Sequence, residues 1–329
     1  MIAGASLPTW QQGVAARPLP ESAVRALVDF AAAHPSVLRS PAELMASPVA
    51  LDPFLPTVEW IRGALSTGEG FAAVGTGSLG LAYARLAFGV LGVMLAPPID
   101  RYGFHYAVAD TGESYEEKAI PISKTRASTG LHTDSSARDC VPGIVALQCE
   151  RPSTDGGVSL IADAHAACRW IAVNRPEIDQ VLRRSFSRKI VTPGLDKGLG
   201  SLRRNRFPIV RWEPRFEFRY MRYWIVEGQK ELGRPLDEHE LGALDLLDEV
   251  LSRPEYQTSF RLKPGDMLFV NNTHLAHGRT AYRDVPAGGR LLWRMWLDEL
   301  AIEAPRRPSE AGSHSELARG ARAAKARPT

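Results

Sequence analysis

The chain has 329 residues, a length that fits one large domain or two small ones. Hydrophobic residues make up 44% and charged residues 23%, values near the globular average that exclude a disordered chain and a fibrous repeat. The net charge is +3, but residues 305–329 alone carry +4, so the remainder is almost neutral and offers no broad positive surface for nucleic acid. We therefore expect a single domain over 1–300 and a basic, disordered tail over 301–329.

The N-terminal third, residues 1–98, is expected to be helical. Residues 21–34 have apolar side chains at helical spacing and end at a proline, which predicts an amphipathic helix. Residues 79–97 are apolar over nearly the length of a membrane span, but Arg85 and three glycines interrupt them. This pattern favours a buried core helix that ends at Pro97, and we expect no membrane association.

Short strand-like runs dominate after residue 100, separated by turn residues. They cover 144–149, 158–162, 207–212, 216–225, 259–262, 267–271 and 290–297. Further helices are expected over 163–173, 176–185 and 237–251. The pattern predicts an α+β class with a mainly β core, an antiparallel barrel or jelly roll over about 99–165 and 207–300. Residues 166–206 and the helix 237–251 would be insertions.

Two features of these regions leave alternatives open. The basic, glycine-containing stretch 183–207 is either a solvent-exposed loop or a mobile lid over a pocket. The alternating aromatic side chains over 216–223 are typical of strand packing, and one of them could line a pocket instead.

The three cysteines, Cys140, Cys149 and Cys168, are too few for a disulfide framework or a four-cysteine zinc site. The N-terminus lacks the basic start and apolar core of a signal peptide. We therefore expect a reduced, cytoplasmic protein. No pattern indicates the oligomeric state.

The first motif with metal-binding chemistry is His132-Thr133-Asp134. Residues two apart on a strand face the same side, so an imidazole and a carboxylate would point to a common place. They would form two corners of the facial site that binds non-haem iron. A second copy, His314-Ser-Glu316, lies in the charged tail with no histidine after it, and we discount it.

Downstream residues add a third histidine and two arginines. A turn at 264–266 leads into an apolar strand, after which a loop is expected to present His277. Arg290 and Arg294 then lie on one face of a strand that is otherwise rich in leucine and tryptophan. Inward arginines need an anion. That anion is either a dicarboxylate cosubstrate or an internal Asp or Glu.

Together, four patterns resemble the taurine dioxygenase and clavaminate synthase-like family of iron(II)/2-oxoglutarate-dependent oxygenases. They are His132-x-Asp134, Gly156-Gly157-Val158-Ser159, the segment 264–279 with Asn272 and His277-Gly278-Arg279, and Arg290-x-x-x-Arg294. The resemblance spans roughly residues 100–298 in the expected order. It implies a double-stranded β-helix with iron at one open end.

The resemblance also implies roles for individual residues. The ligands of Fe(2+) would be His132, Asp134 and His277. Arg290 would bind the distal carboxylate of the cosubstrate 2-oxoglutarate, assisted by Ser159, and Arg294 would bind a substrate carboxylate. O2 is the second cosubstrate. The clavaminate-like branch more often has Glu as its acidic ligand, and retention of any carboxylate there argues against the related halogenases.

Several neighbouring side chains have both structural and functional interpretations. Arg126, Ser128 and Thr129 precede the metal motif, and substrate contacts are expected of Arg126 and Ser128. Arg279 either pairs with the barrel rim or meets a ligand. His274 is expected on the surface or beside a ligand residue. His165 is expected on the surface of a helix.

The activity implied by the resemblance is oxidation of an unactivated C–H bond. We expect hydroxylation, with desaturation, cyclisation or epoxidation as alternatives, of a small carboxylate-bearing molecule in specialised metabolism. An amino acid or derivative, free or carrier-bound, is favoured, whereas the basic stretch 183–207 would equally suit a phosphorylated or sulfonated compound. A zinc hydrolase and a non-catalytic cupin-like binding protein remain as alternatives. Succinate release discriminates the oxygenase from both.

Overall fold

The structure is a computed structural model that describes residues 15–46, 51–99, 103–115, 120–191, 198–284 and 289–300. The expected disordered tail and its His314 motif lie outside these residues. The helices are α1 (Glu21–Ala33), α2 (Glu43–Ala46), α3 (Leu55–Ser66), α4 (Leu81–Leu95), α5 (Ala164–Asn174), α6 (Pro176–Leu182), α7 (Leu199–Arg204), α8 (Arg222–Glu231) and α9 (Glu238–Leu251).

The strands are short, as the turn-rich sequence predicts. They are β1 (Arg17–Pro18), β2 (Phe71–Gly75), β3 (Tyr106–Ala109), β4 (Ile144–Arg151), β5 (Asp155–Gly156), β6 (Ser159–Asp163), β7 (Ser185–Ser187), β8 (Arg206–Pro208), β9 (Val210–Arg211), β10 (Glu217–Phe218), β11 (Gln257–Phe260), β12 (Met267–Asn271), β13 (Leu275–Arg279), β14 (Tyr282–Arg283) and β15 (Leu291–Leu297).

Two sheets form the β core. The larger sheet has the order β1-β2-β12-β4-β15-β3 and the smaller sheet the order β11-β6-β13. Apolar side chains from both sheets, such as Leu268 and Leu292 on the larger and Ile161 and Leu275 on the smaller, pack into one buried cluster between them. The predicted jelly-roll core is confirmed.

Helices cover the outer face of each sheet. Helices α1, α3 and α4 pack on the larger sheet, and α4 is the predicted core helix, buried along most of its length. Helices α5, α6 and α9 pack on the smaller sheet. In the part of the chain that the structure describes, no helix combines the length and apolar character needed to cross a bilayer. The cytoplasmic location stays a prediction.

Two elements differ from the sequence-based expectation. The N-terminal part is not only helical, because β2 lies between β1 and β12 in the larger sheet. The predicted strand over 216–225 is instead β10 followed by α8. Phe216, Phe218 and Tyr220 are buried at alternate positions, but from Arg222 the chain turns into a helix, and no glycine or proline marks the change. The stretch 183–207 contains the paired strands β7 and β8 and helix α7, and whether it acts as a lid is untested.

Candidate metal centre

A direct backbone pairing brings the two motif histidines together. His132 donates its amide to the carbonyl of His277 and accepts the His277 amide, both at 2.8 Å. His277 therefore lies on strand β13, not on the loop that the sequence predicted. The following residue must be small, since a Cβ on Gly278 would lie 2.2 Å from the carbonyl oxygen of Gly130. The pairing places the two imidazole rings 4.6 Å apart between centroids.

Asp134 is placed by Asn272 rather than by a regular strand. The Asn272 side chain accepts the Asp134 amide at 2.8 Å and donates to the Asp134 carbonyl at 3.2 Å. It also donates to the carbonyl of Pro142 at 2.9 Å. Just after Asp134, Ser135 adopts a φ of 59°, a left-handed conformation that is uncommon outside glycine, and the chain turns there.

The three side chains converge on one point. One candidate ligand atom from each of His132, Asp134 and His277 lies within 4.8 Å of the other two. Asp134 Oδ1 is 3.7 Å from His132 Nε2 and 3.9 Å from His277 Nε2. The three side chains are only 10–12% exposed. Two imidazoles and one carboxylate in this arrangement could hold a divalent metal and leave other positions open.

The protonation states fit a metal ion. Burial lowers the pKa of His132. Burial and the neighbouring His132 ring together lower the pKa of His277 to about 3. Burial acts to raise the pKa of Asp134, but Arg294 and the two histidines outweigh it and lower that pKa to about 2. His132 Nδ1 lies 3.1 Å from the Gly130 carbonyl, so a proton there leaves the lone pair on Nε2. Neutral imidazoles and an ionised carboxylate are the forms that bind metals.

The cavity around these residues has two lobes that meet at His132 and Asp134. The inner lobe, about 480 Å³, lies between the sheets and contains His277, Ser159 and Arg290. The predicted placement of Ser159 and Arg290 beside the metal motif is thus reproduced in space. Their roles stay predictions.

Arg290 is buried without an anionic partner. Its residue is 6% exposed, and among the described residues no Asp or Glu forms an ion pair with its guanidinium. Burial lowers its pKa, while the nearby Tyr282 acts in the opposite direction. Glycines allow this close packing, since a Cβ on Gly157 would meet Ser153 Oγ at 2.3 Å and Arg290 Nε at 3.4 Å. A buried cation beside a cavity, with no ion pair to a described residue, suits an anionic ligand.

Arg279 lines the same lobe but has a structural role. Its guanidinium donates to the carbonyls of Thr125 and Ala127, and its ring neighbour is Tyr282 at 4.7 Å. Of the two interpretations of Arg279, the structure favours pairing with the barrel rim. The contacts attach the segment before the metal motif to strand β13.

Arg294 is paired within the protein. Its Nη1 donates to Asp134 Oδ2 at 3.2 Å, and its guanidinium lies over the rings of Tyr106 and Trp296. The sequence left a dicarboxylate cosubstrate or an internal Asp or Glu as the partner of the inward arginines. Among the described residues, an internal carboxylate pairs with Arg294, whereas none forms an ion pair with Arg290. Because Arg294 also lines both lobes, a substrate contact by this residue stays a prediction.

The outer lobe, about 720 Å³ including its mouth, opens toward the solvent. Ile122, Met221 and Trp224 form an apolar wall. Arg138 and Lys189 are the further cations in its lining, and Lys189 forms an ion pair with Glu231. Lys189 belongs to the basic stretch 183–207, which thus reaches the cavity. Among the described lining residues, Asp134 is the only carboxylate.

Two predicted substrate residues lie elsewhere. Arg126 is exposed and pairs with Asp110 at 2.5 Å, away from both lobes. The Ser128 hydroxyl donates to the Arg279 carbonyl at 3.1 Å, and this hydrogen bond helps to hold the rim segment. Neither residue lines either lobe, so a substrate contact by Arg126 or Ser128 stays a prediction, whereas their neighbour Thr129 does line the inner lobe.

His274 and His165 do not reach the metal motif. His274 and His165 pack around the ring of Phe216, at 5.5 and 4.7 Å between centroids. His165 lies on α5, as predicted, but its ring is only partly exposed because Phe216 and Trp212 cover it.

Sequence reasoning missed two residues of the site. Ser123 lines both lobes, and its buried Oγ has no hydrogen-bond partner among the described residues. Trp296 donates its indole N–H to Asp134 Oδ2 at 2.7 Å. The position of Trp296, two residues after Arg294 on the same strand face, was a signal available in the sequence, whereas nothing local distinguishes Ser123.

Comparison with known proteins agrees with this site. The model of the "Taurine catabolism dioxygenase TauD, TfdA family" matches residues 78–296. The chain is 28% identical over 247 residues to FR-33289 synthase of Streptomyces rubellomurinus. The matched region covers 71% of this chain and 70% of that protein. It is 29% identical over 197 residues to a Streptomyces uridine-5′-phosphate dioxygenase, covering 57% of this chain and 67% of that protein. Its fold is similar to that of the non-heme iron oxygenase OrfP in complex with Fe, succinate and (3S)-hydroxy-L-Arg, with a TM-score of 0.62 at 14% identity over 87% of this chain and 95% of that chain.

Proposed function

The chain belongs to the TauD, TfdA family and is therefore an iron(II)- and 2-oxoglutarate-dependent dioxygenase, and we propose that its active site is the two-lobed cavity between the sheets. The iron ligands in this proposal are His132, Asp134 and His277. The observation that carries it is the convergence of these three side chains beside a buried arginine that forms no ion pair with any residue the structure describes.

The inner lobe binds 2-oxoglutarate in this proposal. Arg290 pairs with the distal carboxylate, and the Ser159 hydroxyl donates a hydrogen bond to it. Support comes from the shared position of both residues in the inner lobe and from the lack of an ion pair between Arg290 and the described carboxylates. A planar guanidinium can meet a carboxylate through two parallel hydrogen bonds, which fixes the orientation of the bound molecule.

The outer lobe binds the substrate, a small molecule that carries an anionic group. Its described lining contains Arg138, Lys189 and Arg294 but no carboxylate besides Asp134, so an anionic group is favoured over a cationic one. We propose a carboxylate-bearing molecule, an amino acid or derivative, free or carrier-bound, as in the hydroxyarginine complex of OrfP. Uridine-5′-phosphate dioxygenase among the relatives makes a phosphorylated compound the second candidate, with Lys189 as its contact.

The protein supplies placement and exclusion of water. Bound iron(II), with 2-oxoglutarate and O2, supplies the oxidising power that replaces a substrate C–H bond by C–OH, while 2-oxoglutarate is converted to succinate and CO2. The apolar wall of Ile122, Met221 and Trp224 keeps water from the reacting carbon. Arg290 holds the cosubstrate in the inner lobe, on the far side of the metal site from the substrate.

The alternative functions fit the cavity less well. A zinc hydrolase needs a general base, and the described outer-lobe lining holds no carboxylate or histidine beyond the proposed ligands. It would also leave Arg290 without a role. A non-catalytic binding protein would not need three metal ligands.

The ligand assignment is tested by spectroscopy. Anaerobic addition of 2-oxoglutarate to the iron(II)-loaded protein should produce a weak visible absorption band. The variants His132→Ala and His277→Ala should lose the band. Retention of the band in the double variant would show that the metal is bound elsewhere.

The substrate class is tested by mass spectrometry with a panel of free amino acids, their derivatives and phosphorylated nucleosides. The proposal predicts a product that gains one oxygen atom only when 2-oxoglutarate and O2 are both present. If phosphorylated compounds react and no carboxylate does, the carboxylate assignment is wrong.

A further inference from the structure

The two oxygens of the Asp134 carboxylate have different surroundings. Oδ1 faces the Nε2 atoms of His132 and His277 at 3.7 and 3.9 Å. Oδ2 faces away from them and accepts two hydrogen bonds, from Trp296 Nε1 at 2.7 Å and from Arg294 Nη1 at 3.2 Å. Both donors lie on strand β15 in the opposite sheet.

We propose that Trp296 is a positioning residue for the metal site, which holds Asp134 through Oδ2 so that Oδ1 points at the metal. The inference rests on the proposed iron ligands. A ligating carboxylate with one free oxygen can rotate about its bond to Cβ, and a fixed donor on the outer oxygen removes that freedom. The indole N–H is the shorter of the two bonds to Oδ2.

The surroundings of Trp296 make its N–H a fixed donor. The residue is 8% exposed, pairs with Val145 of β4, and accepts the Ile99 amide through its carbonyl at 2.8 Å. The Arg294 guanidinium lies 4.5 Å from the ring centroid and covers one face. An indole has only two side-chain torsions, so little freedom remains once its ring is packed.

Two donors on one oxygen allow a division of roles. Arg294 lines both lobes of the cavity, so its guanidinium can turn toward an anionic substrate. Trp296 also lines the outer lobe but offers a single N–H, which Asp134 already uses. If Arg294 alone held Oδ2, binding of the substrate would free the carboxylate. With Trp296 in place, Asp134 stays oriented whichever way Arg294 points.

Trp293 provides a matched control on the same strand. It also donates its indole N–H to a carboxylate, Glu150 Oε2 at 2.6 Å, but on the opposite face of β15, away from the cavity. The variants Trp296→Phe and Trp293→Phe therefore each remove one indole–carboxylate hydrogen bond and keep an aromatic ring. A purely structural role of Trp296 predicts similar behaviour of the two variants.

The test is calorimetric titration of the full chain with Co(II) under anaerobic conditions. Trp296→Phe should weaken Co(II) binding about 10- to 100-fold, the range for loss of a residue that orients a ligand. Trp293→Phe should stay within about twofold of wild type, although both variants lower the unfolding midpoint of the metal-free protein. Equal Co(II) affinity of Trp296→Phe and wild type would overturn the inference while leaving the iron ligands intact. If wild type and His132→Ala bind Co(II) equally, the proposed ligands are wrong as well.

A second measurement covers the case in which Trp296→Phe does not fold. In the ¹⁵N-labelled wild type, the indole N–H resonance of Trp296 should shift on addition of Zn(II), and that of Trp293 should not. An unchanged Trp296 resonance at saturating Zn(II) would overturn the inference.

Discussion

Replacing Arg290 by methionine tests whether the inner lobe is an anion site. Arg290 and Arg279 line the same lobe and are 6% and 5% exposed. Their partners differ, because Arg279 donates to backbone carbonyls of the rim segment while Arg290 has no ion pair with a described residue. Methionine keeps the volume of the aliphatic stem and removes the charge. Arg279→Met therefore leaves backbone carbonyls without their donors, whereas Arg290→Met removes a buried charge that has no ion pair with a described residue.

The expected magnitudes follow from these environments. Loss of one partner of a buried, hydrogen-bonded charge pair costs about 2–5 kcal/mol, roughly 30- to 4000-fold in the Kd for 2-oxoglutarate. At a 2-oxoglutarate concentration 100 times the wild-type Kd, bound ligand stabilises the wild type by about 2.7 kcal/mol. An Arg290→Met variant that binds 100-fold more weakly gains only about 0.4 kcal/mol at that concentration.

The assay is urea unfolding of the Mn(II)-loaded proteins with and without 2-oxoglutarate. Without it, Arg290→Met should be as stable as wild type or more stable, because an uncompensated buried cation has been removed. Arg279→Met should lose about 2–5 kcal/mol, because the buried carbonyls of Thr125 and Ala127 lose their donors. Full stabilisation of Arg290→Met by 2-oxoglutarate, or a loss of stability like that of Arg279→Met, would refute the anion site.

Three further predictions concern single positions. Gly278→Ala should lower the free energy of unfolding by about 3 kcal/mol and abolish Co(II) binding, since its Cβ would lie 2.2 Å from the Gly130 carbonyl oxygen. Thermal unfolding and Co(II) titration check this prediction, and an unchanged Co(II) affinity would contradict it. Ser123→Ala should raise the free energy of unfolding by about 1 kcal/mol, because it removes a buried hydroxyl without a partner; a destabilised variant would indicate a hidden hydrogen bond. A thiol reagent at pH 8 should modify one cysteine in the native protein and three after denaturation, since Cys140 is exposed while burial raises the pKa of the Cys149 thiol to about 12. Rapid reaction of a second native thiol would refute this.

Local patterns in the sequence were sufficient for most of the elements and for identifying the metal motif. The Asp237 cap and the spacing of α9 are local properties, and the structure contains that helix with a complete capping box. His132 and Asp134 are two residues apart and were expected on one strand, whereas in the structure the side chain of the distant Asn272 holds Asp134. The downstream motif pointed to His277, but its role as a ligand came from the family resemblance, because its backbone pairing with His132 joins distant parts of the chain.

What could not be predicted depends on partners that are distant in sequence. Arg290 and Arg294 have the same residue type and strand face, yet only Arg294 reaches the Asp134 carboxylate. Arg126 is next to the metal motif in sequence, but Asp110 holds it at the surface. Likewise, the run ending in Ile225 alternates like a strand until packing turns it into helix α8. In each case, contacts with residues distant in sequence determine the position of the side chain or the type of secondary structure.

The hydrogen-bonded pairing of His132 with His277 has a consequence for the biogenesis of the protein. These two residues are nearly half the chain apart, and β13 is one of the last strands in the sequence. During translation, a nascent polypeptide that has not yet emerged from the ribosome as far as residue 277 has only two of the three proposed ligands, without the backbone partner that aligns them. Iron would therefore be acquired only once residue 277 is available for this pairing, when all three proposed ligands are present together.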